Sequence, residues 1–145
     1  MGTLSVPASG IVYLDTAPII YTVERHLDYE ALLLPLWTAL DSRAVEVVTS
    51  ELTLLETLVK PLRDGNHALA GDYERILTAT GIRMQPITAN ILREAAGIRA
   101  AAGLKTPDAI HAATALSAGC VQFITNDADY RKLSSLPVII LKEII

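Results

Sequence analysis

Ile11-Val12-Tyr13-Leu14-Asp15-Thr16-Ala17-Pro18 is an apolar run that stops at an acid, with a proline placed where the first turn of a helix tolerates one. It reads as a strand feeding a capped helix, the first half of a βα unit. The pattern recurs at Val45-Glu46-Val47-Val48-Thr49, a β-branched run followed by Ser50 as the cap of a helix that contains Glu56. Further strands are expected at 121–124 and 138–141, and at 82–87, where Pro86 interrupts the run. Helical spacing covers 18–26, 29–40, 64–80 and 88–102, with Pro35 expected to interrupt or start the second of these. Thr106-Pro107-Asp108 opens a helix that continues over 109–118 and stops at Gly119, and a short helical turn is expected at 128–133. Strands alternating with helices predict a mainly parallel sheet covered on both faces, a three-layer α/β/α sandwich. Ligands in such sheets bind beyond the carboxyl ends of the strands, where Asp15 and Asp127 meet if the first and fourth strands are neighbours.

The 145 residues fit one domain, 1–145, without a repeat or linker. A hydrophobic content of 51% exceeds what a soluble monomer of this size needs, so part of the apolar surface is expected in a subunit interface, most simply a homodimer. No apolar stretch is long enough for a membrane span, the N-terminus lacks the pattern of a signal peptide, and Cys120 is the only cysteine; a reducing cytoplasm is the expected location. The net charge of −4 does not exclude a nucleic-acid substrate, because a metal-binding acid cluster biases the total while Arg83, Arg93, Arg99, Lys105, Arg131 and Lys132 supply a basic rim.

Four acids adjoin predicted core: Asp15 after the first strand, Glu56 within Leu52-Thr53-Leu54-Leu55-Glu56-Thr57-Leu58-Val59, Asp108 at its helix start, and Asp127 after Val121-Gln122-Phe123-Ile124-Thr125. An unpaired charge near core is costly, so four of them imply a cation, and hard oxygen donors suit Mg²⁺ or Mn²⁺. Such an ion lowers the pKa of water and neutralises charge on a phosphoryl centre, which makes phosphodiester hydrolysis the natural chemistry. Asp108, in the first turn of its helix, is expected to be ionised by the helix dipole. Taken singly, Asp15 is explained as a cap, Asp108 as a first-turn charge and Glu56 as a helix-surface acid. His111 reads as a packed or hydrogen-bonded core residue, His26 and His67 as surface residues, and Cys120 as a small buried hydrophobe. Trp37 reads as core or interface, and nucleotide-binding glycine motifs are absent.

Together, Tyr13-Leu14-Asp15-Thr16, Ser50-Glu51-Leu52-Thr53-Leu54-Leu55-Glu56, Leu104-Lys105-Thr106-Pro107-Asp108-Ala109-Ile110-His111-Ala112-Ala113 and Phe123-Ile124-Thr125-Asn126-Asp127-Ala128-Asp129-Tyr130 resemble, in order and spacing, the four acidic motifs of PIN-domain nucleases, closest to VapC-type toxins of type II toxin-antitoxin modules. The resemblance implies a metal-dependent endoribonuclease that hydrolyses RNA, with Asp15, Glu56, Asp108 and Asp127 holding Mg²⁺ or Mn²⁺ and Asp108 helping to deprotonate the attacking water. It also implies a cognate antitoxin, whose groove would be walled by the helical hairpin over 18–40. Thr16, Thr125 and Asn126 are similar to residues that line the site or contact substrate. Asp129 stays open between a metal-facing role and capping the turn at Tyr130, and Tyr130 stands where the family commonly has Phe. The alternatives are a catalytically silent PIN-like RNA-binding or interaction module, and a metal-dependent nuclease acting on DNA.

Overall fold

The computed structural model describes residues 2–145. Five strands, β1 (Ile11–Leu14), β2 (Glu46–Ser50), β3 (Arg83–Gln85), β4 (Gln122–Thr125) and β5 (Val138–Ile140), form one sheet in the order β3-β2-β1-β4-β5. Every pairing is parallel. The helices are α1 (Thr16–Val23), α2 (Glu30–Asp41), α3 (Glu51–Arg63), α4 (His67–Ala79), α5 (Ala89–Ala102) and α6 (Thr106–Ala118), with 3-10 turns at Ala128–Lys132 and Leu141–Glu143. This is the expected sandwich.

Side-chain alternation sorts the strands into two apolar layers. Val12, Leu14, Val47 and Ile124 pack with Ile19 of α1, Leu33 and Leu36 of α2, and Tyr73 and Leu77 of α4. Tyr13, Val48 and Phe123 face the other way, toward Ile91 and Ala95 of α5 and Ala109, Ala112 and Ala113 of α6. The central strands are apolar on both sides because helices cover both sides. Small side chains on α6 let it lie close to the sheet, and residues 109–115 are buried without a break. Gly119 ends α6 at φ 71°, a left-handed conformation that glycine adopts without a Cβ clash.

Several boundaries differ from the sequence expectation. α1 starts two residues early, at the Asp15 cap, and ends at Val23. α2 runs through Pro35, because buried Leu32, Leu33 and Leu36 on either side of it outweigh one missing hydrogen bond. The helix expected over 64–80 begins only at His67, with Asn66 accepting from the Leu69 N-H as its cap. The strand expected over 82–87 shrinks to three residues at the sheet edge, where Pro86 costs no ladder bond. Among the described residues no helix is long and apolar enough to cross a membrane.

Candidate active site

The carboxyl edge of the sheet is assembled by register. β1 and β4 are neighbours, with Leu14 opposite Ile124, and the Asp15 N-H extends the ladder to the Ile124 carbonyl at 3.0 Å. Asp15 is thus set beside Thr125. Its Oδ1 accepts from the Thr16 N-H at 2.9 Å, the helix cap, while its Oδ2 accepts from the Thr125 hydroxyl at 2.7 Å. Capping and site membership are compatible because the two oxygens do different things.

Beyond Thr125 the chain turns so that its acids return to the same edge. Thr125 Oγ1 accepts from the Asp127 N-H at 3.0 Å, and Asp127 Oδ1 accepts from the Asp129 N-H at 2.9 Å, opening the 3-10 turn. Asp108 enters from the first turn of α6. Asp108, Asp127 and Asp129 each offer a carboxylate oxygen, all within 4.8 Å of one another. The Tyr130 hydroxyl, fully buried, lies 3.3 Å from Asp108 Oδ1 and 3.4 Å from Asp15 Oδ1, joining Asp15 to that trio.

Glu56 arrives from the opposite side, on α3. Its Oε1 lies 2.7 Å from His111 Nε2 and 2.8 Å from the Thr16 hydroxyl. Thr16 and His111 link Glu56 to Asp15, and it is not one of the three acids that cluster. Asn126 has both ends of its amide engaged within the fold, Nδ2 donating to the Tyr21 hydroxyl at 3.0 Å and Oδ1 accepting from the Lys142 N-H at 2.8 Å. It ties α1 to the turn after β5.

The electrostatics follow from this crowding. Burial, then the charges of Asp127 and Asp15, push the Asp108 carboxyl above its ordinary value, so the helix dipole is not the dominant influence that the sequence led us to expect. Burial acts to raise Glu56 as well, yet the bond and charge of His111 and the bond from Thr16 bring it below its ordinary value. The Tyr13 and Tyr130 phenols are held protonated, by burial first and by the neighbouring acid Asp15 next. Cys120 lies apart from this edge, its thiol pushed up to about 11 by burial, which suits an inert side chain.

Two participants were not evident in the sequence as neighbours of the acids. His111 is in the core, as its apolar helix suggested, but it also contacts Glu56; the signal was its position three residues after Asp108, on the same helical face. The Tyr130 ring packs against Phe123 with centroids 4.6 Å apart, as a Phe would, while its hydroxyl adds contacts to two acids that a Phe lacks.

The donor set is suited to a hard divalent cation: several carboxylate oxygens converge, and among the described residues none of Asp15, Asp108, Asp127 and Asp129 has a salt bridge to Lys or Arg.

The same architecture occurs in solved structures. VapBC2 from Rickettsia felis bound to a DNA fragment from its promoter matches with TM-score 0.70 and 15% identity, over 89% of this chain and 97% of that one. A toxin-antitoxin complex from Klebsiella pneumoniae matches with TM-score 0.69 and 20% identity, over 90% and 97%. VapBC-5 from Mycobacterium tuberculosis matches with TM-score 0.58 and 24% identity, over 92% and 98%. A search of curated proteins finds no match. The PIN domain model matches residues 12–136, from the first strand to the segment before β5, and the chain therefore belongs to the PIN-domain family.

Proposed function

We propose that this protein is a divalent-metal-dependent endoribonuclease, the toxin of a toxin-antitoxin pair, working in the cytoplasm as a homodimer. The observation that carries the proposal is the convergence of Asp108, Asp127 and Asp129 within 4.8 Å, linked to Asp15 through Tyr130 and lacking any Lys or Arg partner among the described residues. Asp15, Asp108, Asp127 and Glu56 would hold Mg²⁺ or Mn²⁺, with Asp129 completing the trio. Among the described residues the Asp129 side chain caps no backbone N-H, and its own N-H is taken by Asp127, which favours the metal-facing role left open by the sequence. When bound, the ion supplies charge neutralisation at the phosphodiester and lowers the pKa of a water.

The chain's own groups divide the remaining work. Asp108, whose proton affinity is raised by burial and by Asp127 and Asp15, is suited to take the proton from the attacking water. Thr125 holds Asp15 through Oδ2 and Thr16 holds Glu56 through Oε1, which leaves Glu56 Oε2 without a donor among the described residues. RNA as the substrate rests on the resemblance to VapC-type toxins. An antitoxin is supported by the structural neighbours, of which one is named as a toxin-antitoxin complex and another as a member of the VapBC family of toxin-antitoxin systems. Basic side chains of such a partner would be complementary to the acid edge. A homodimer is supported by the stripe of Leu55, Val59 and Leu62, exposed on α3 next to Glu56.

The test is cleavage of RNA and DNA oligonucleotides by wild-type protein, D15N and D108N, with Mn²⁺ or with EDTA. The expected outcome is RNA cleavage that needs Mn²⁺ and falls by about 100-fold or more in both variants while they remain folded. Unchanged cleavage by both variants overturns the site. Preferential cleavage of DNA, or RNA binding without turnover, overturns the activity in favour of the corresponding alternative.

A further inference from the structure

His111 is 1% exposed at the centre of the buried face of α6, and both of its ring nitrogens are engaged. Nδ1 lies 2.7 Å from the Tyr13 hydroxyl. Nε2 lies 2.7 Å from Glu56 Oε1, with Thr16 Oγ1 at 3.2 Å and Asp15 Oδ1 at 3.5 Å. The hydrogens can be assigned by following the hydroxyls upward from the sheet. Thr49 donates to the Leu14 carbonyl at 2.8 Å, so the 2.7 Å contact between Thr49 and Thr53 is donated by Thr53. Thr16 in turn donates to Glu56 Oε1 at 2.8 Å.

An ionised carboxylate only accepts, so the shorter contact on Oε1 is an N-H from His111 Nε2. In the neutral ring this makes Nδ1 the acceptor for the Tyr13 O-H, which fixes the tautomer. In the cation both nitrogens donate, and Nε2-H still faces Glu56. Glu56 Oε1 therefore receives two donors in either state, while among the described residues no donor reaches Oε2.

Glu56 needs such a restraint. It is a long side chain from a different helix, it lies outside the Asp108-Asp127-Asp129 trio, and fixing it costs rotamer entropy. We propose that His111 is a positioning residue for Glu56: oriented by Tyr13 on its far side, it pins Oε1 against Thr16 and leaves Oε2 as the oxygen offered to a divalent cation. The inference rests on the metal-dependent reading above. Partners that orient a ligand in this way matter to metal affinity nearly as much as the ligand does.

The experiment measures Mn²⁺ binding alone, by calorimetric titration of the full chain without RNA, in wild type, H111L, H111Q, E56Q and H111L/E56Q. H111L fills the site without a donor and should weaken Mn²⁺ binding by about 10- to 100-fold, whereas H111Q, which retains an N-H, should stay within about threefold of wild type. Over E56Q, H111L should add nothing, because the group it positions has been altered. Equal affinity of H111L and wild type overturns the proposal, as does an equal loss from H111L in the Glu56 and E56Q backgrounds, which would mark a general packing role. Should H111L fail to fold, Y13F takes its place in the cycle, since its ring can keep the parallel stack on Phe123 at 5.1 Å while losing the hydroxyl. It should weaken Mn²⁺ binding several-fold with Glu56 and not at all with E56Q; an unchanged affinity overturns the proposal. Wild-type protein that binds no Mn²⁺ sinks the metal-dependent reading and this inference together, whereas wild type that binds while the variants match it sinks this inference alone.

Discussion

Asp108 and Glu56 are carboxyls at one edge of one sheet, yet their surroundings move them in opposite directions. Asp108 is raised above 3.8 by burial and by two neighbouring acids. It contributes stability that is fully present below its unfolded pKa and is lost as pH rises through the raised folded value. Glu56 is lowered below 4.5, with His111 and Thr16 outweighing burial. Its contribution is present above its unfolded pKa and is lost as pH falls through the lowered value. In EDTA at pH 7, D108N should therefore melt above wild type and E56Q below it, each by about 2 °C, a small shift because both groups are partly screened by water. The D108N difference should close as pH falls through the raised value toward 3.8, and the E56Q difference as pH falls below 4.5 through the lowered value; thermal melts from pH 3 to 8 will check both. A D108N difference that grows on acidification would overturn this account. The acids themselves were legible in the sequence as charges beside core. Which of them repel and which are pinned was not, because that depends on groups up to about a hundred residues away in the chain, as Tyr13 is from His111.

At the scale of elements, the helix and strand types followed from local rules that hold in isolation. Ser50, Asn66 and Thr88 each cap their helix through a side-chain oxygen, and Gly103 and Gly119 each end one in the left-handed region. Local rules failed where packing opposed them. Pro35 should break a helix, yet α2 continues through it because Leu32, Leu33 and Leu36 are buried against the sheet. That leaves a measurable cost. Pro35 is exposed, so P35A restores a backbone donor without disturbing the core, and it should stabilise the protein by about 1–3 kcal/mol in urea unfolding. A destabilised P35A would show that proline's restriction of the unfolded chain outweighs the recovered bond.

At the scale of the whole molecule, the helices bury both faces of the sheet, while part of α3 stays apolar and exposed. Leu55, Val59 and Leu62 are 61%, 44% and 56% exposed at helical spacing, which suits a subunit interface. Sedimentation should give about twice the 15.6 kDa chain mass for wild type and a monomer for L55E/L62E, with the monomer still folded. A wild-type monomer would overturn the dimer, and a dimer retained in the variant would move the interface off α3. The sequence by itself determined the alternation of strands and helices, the parallel sandwich and the acidic motifs, because periodicity, caps and β-branched runs act over a few residues. Only the tertiary structure decided that β1 lies beside β4, that Asp108, Asp127 and Asp129 converge while Glu56 leans on His111, and that the Tyr130 hydroxyl joins Asp15 to Asp108. Strand order and hydrogen-bond partnership are set by how the two apolar layers pack around the sheet, and that packing brings together residues whose separation in the chain carries no local signal.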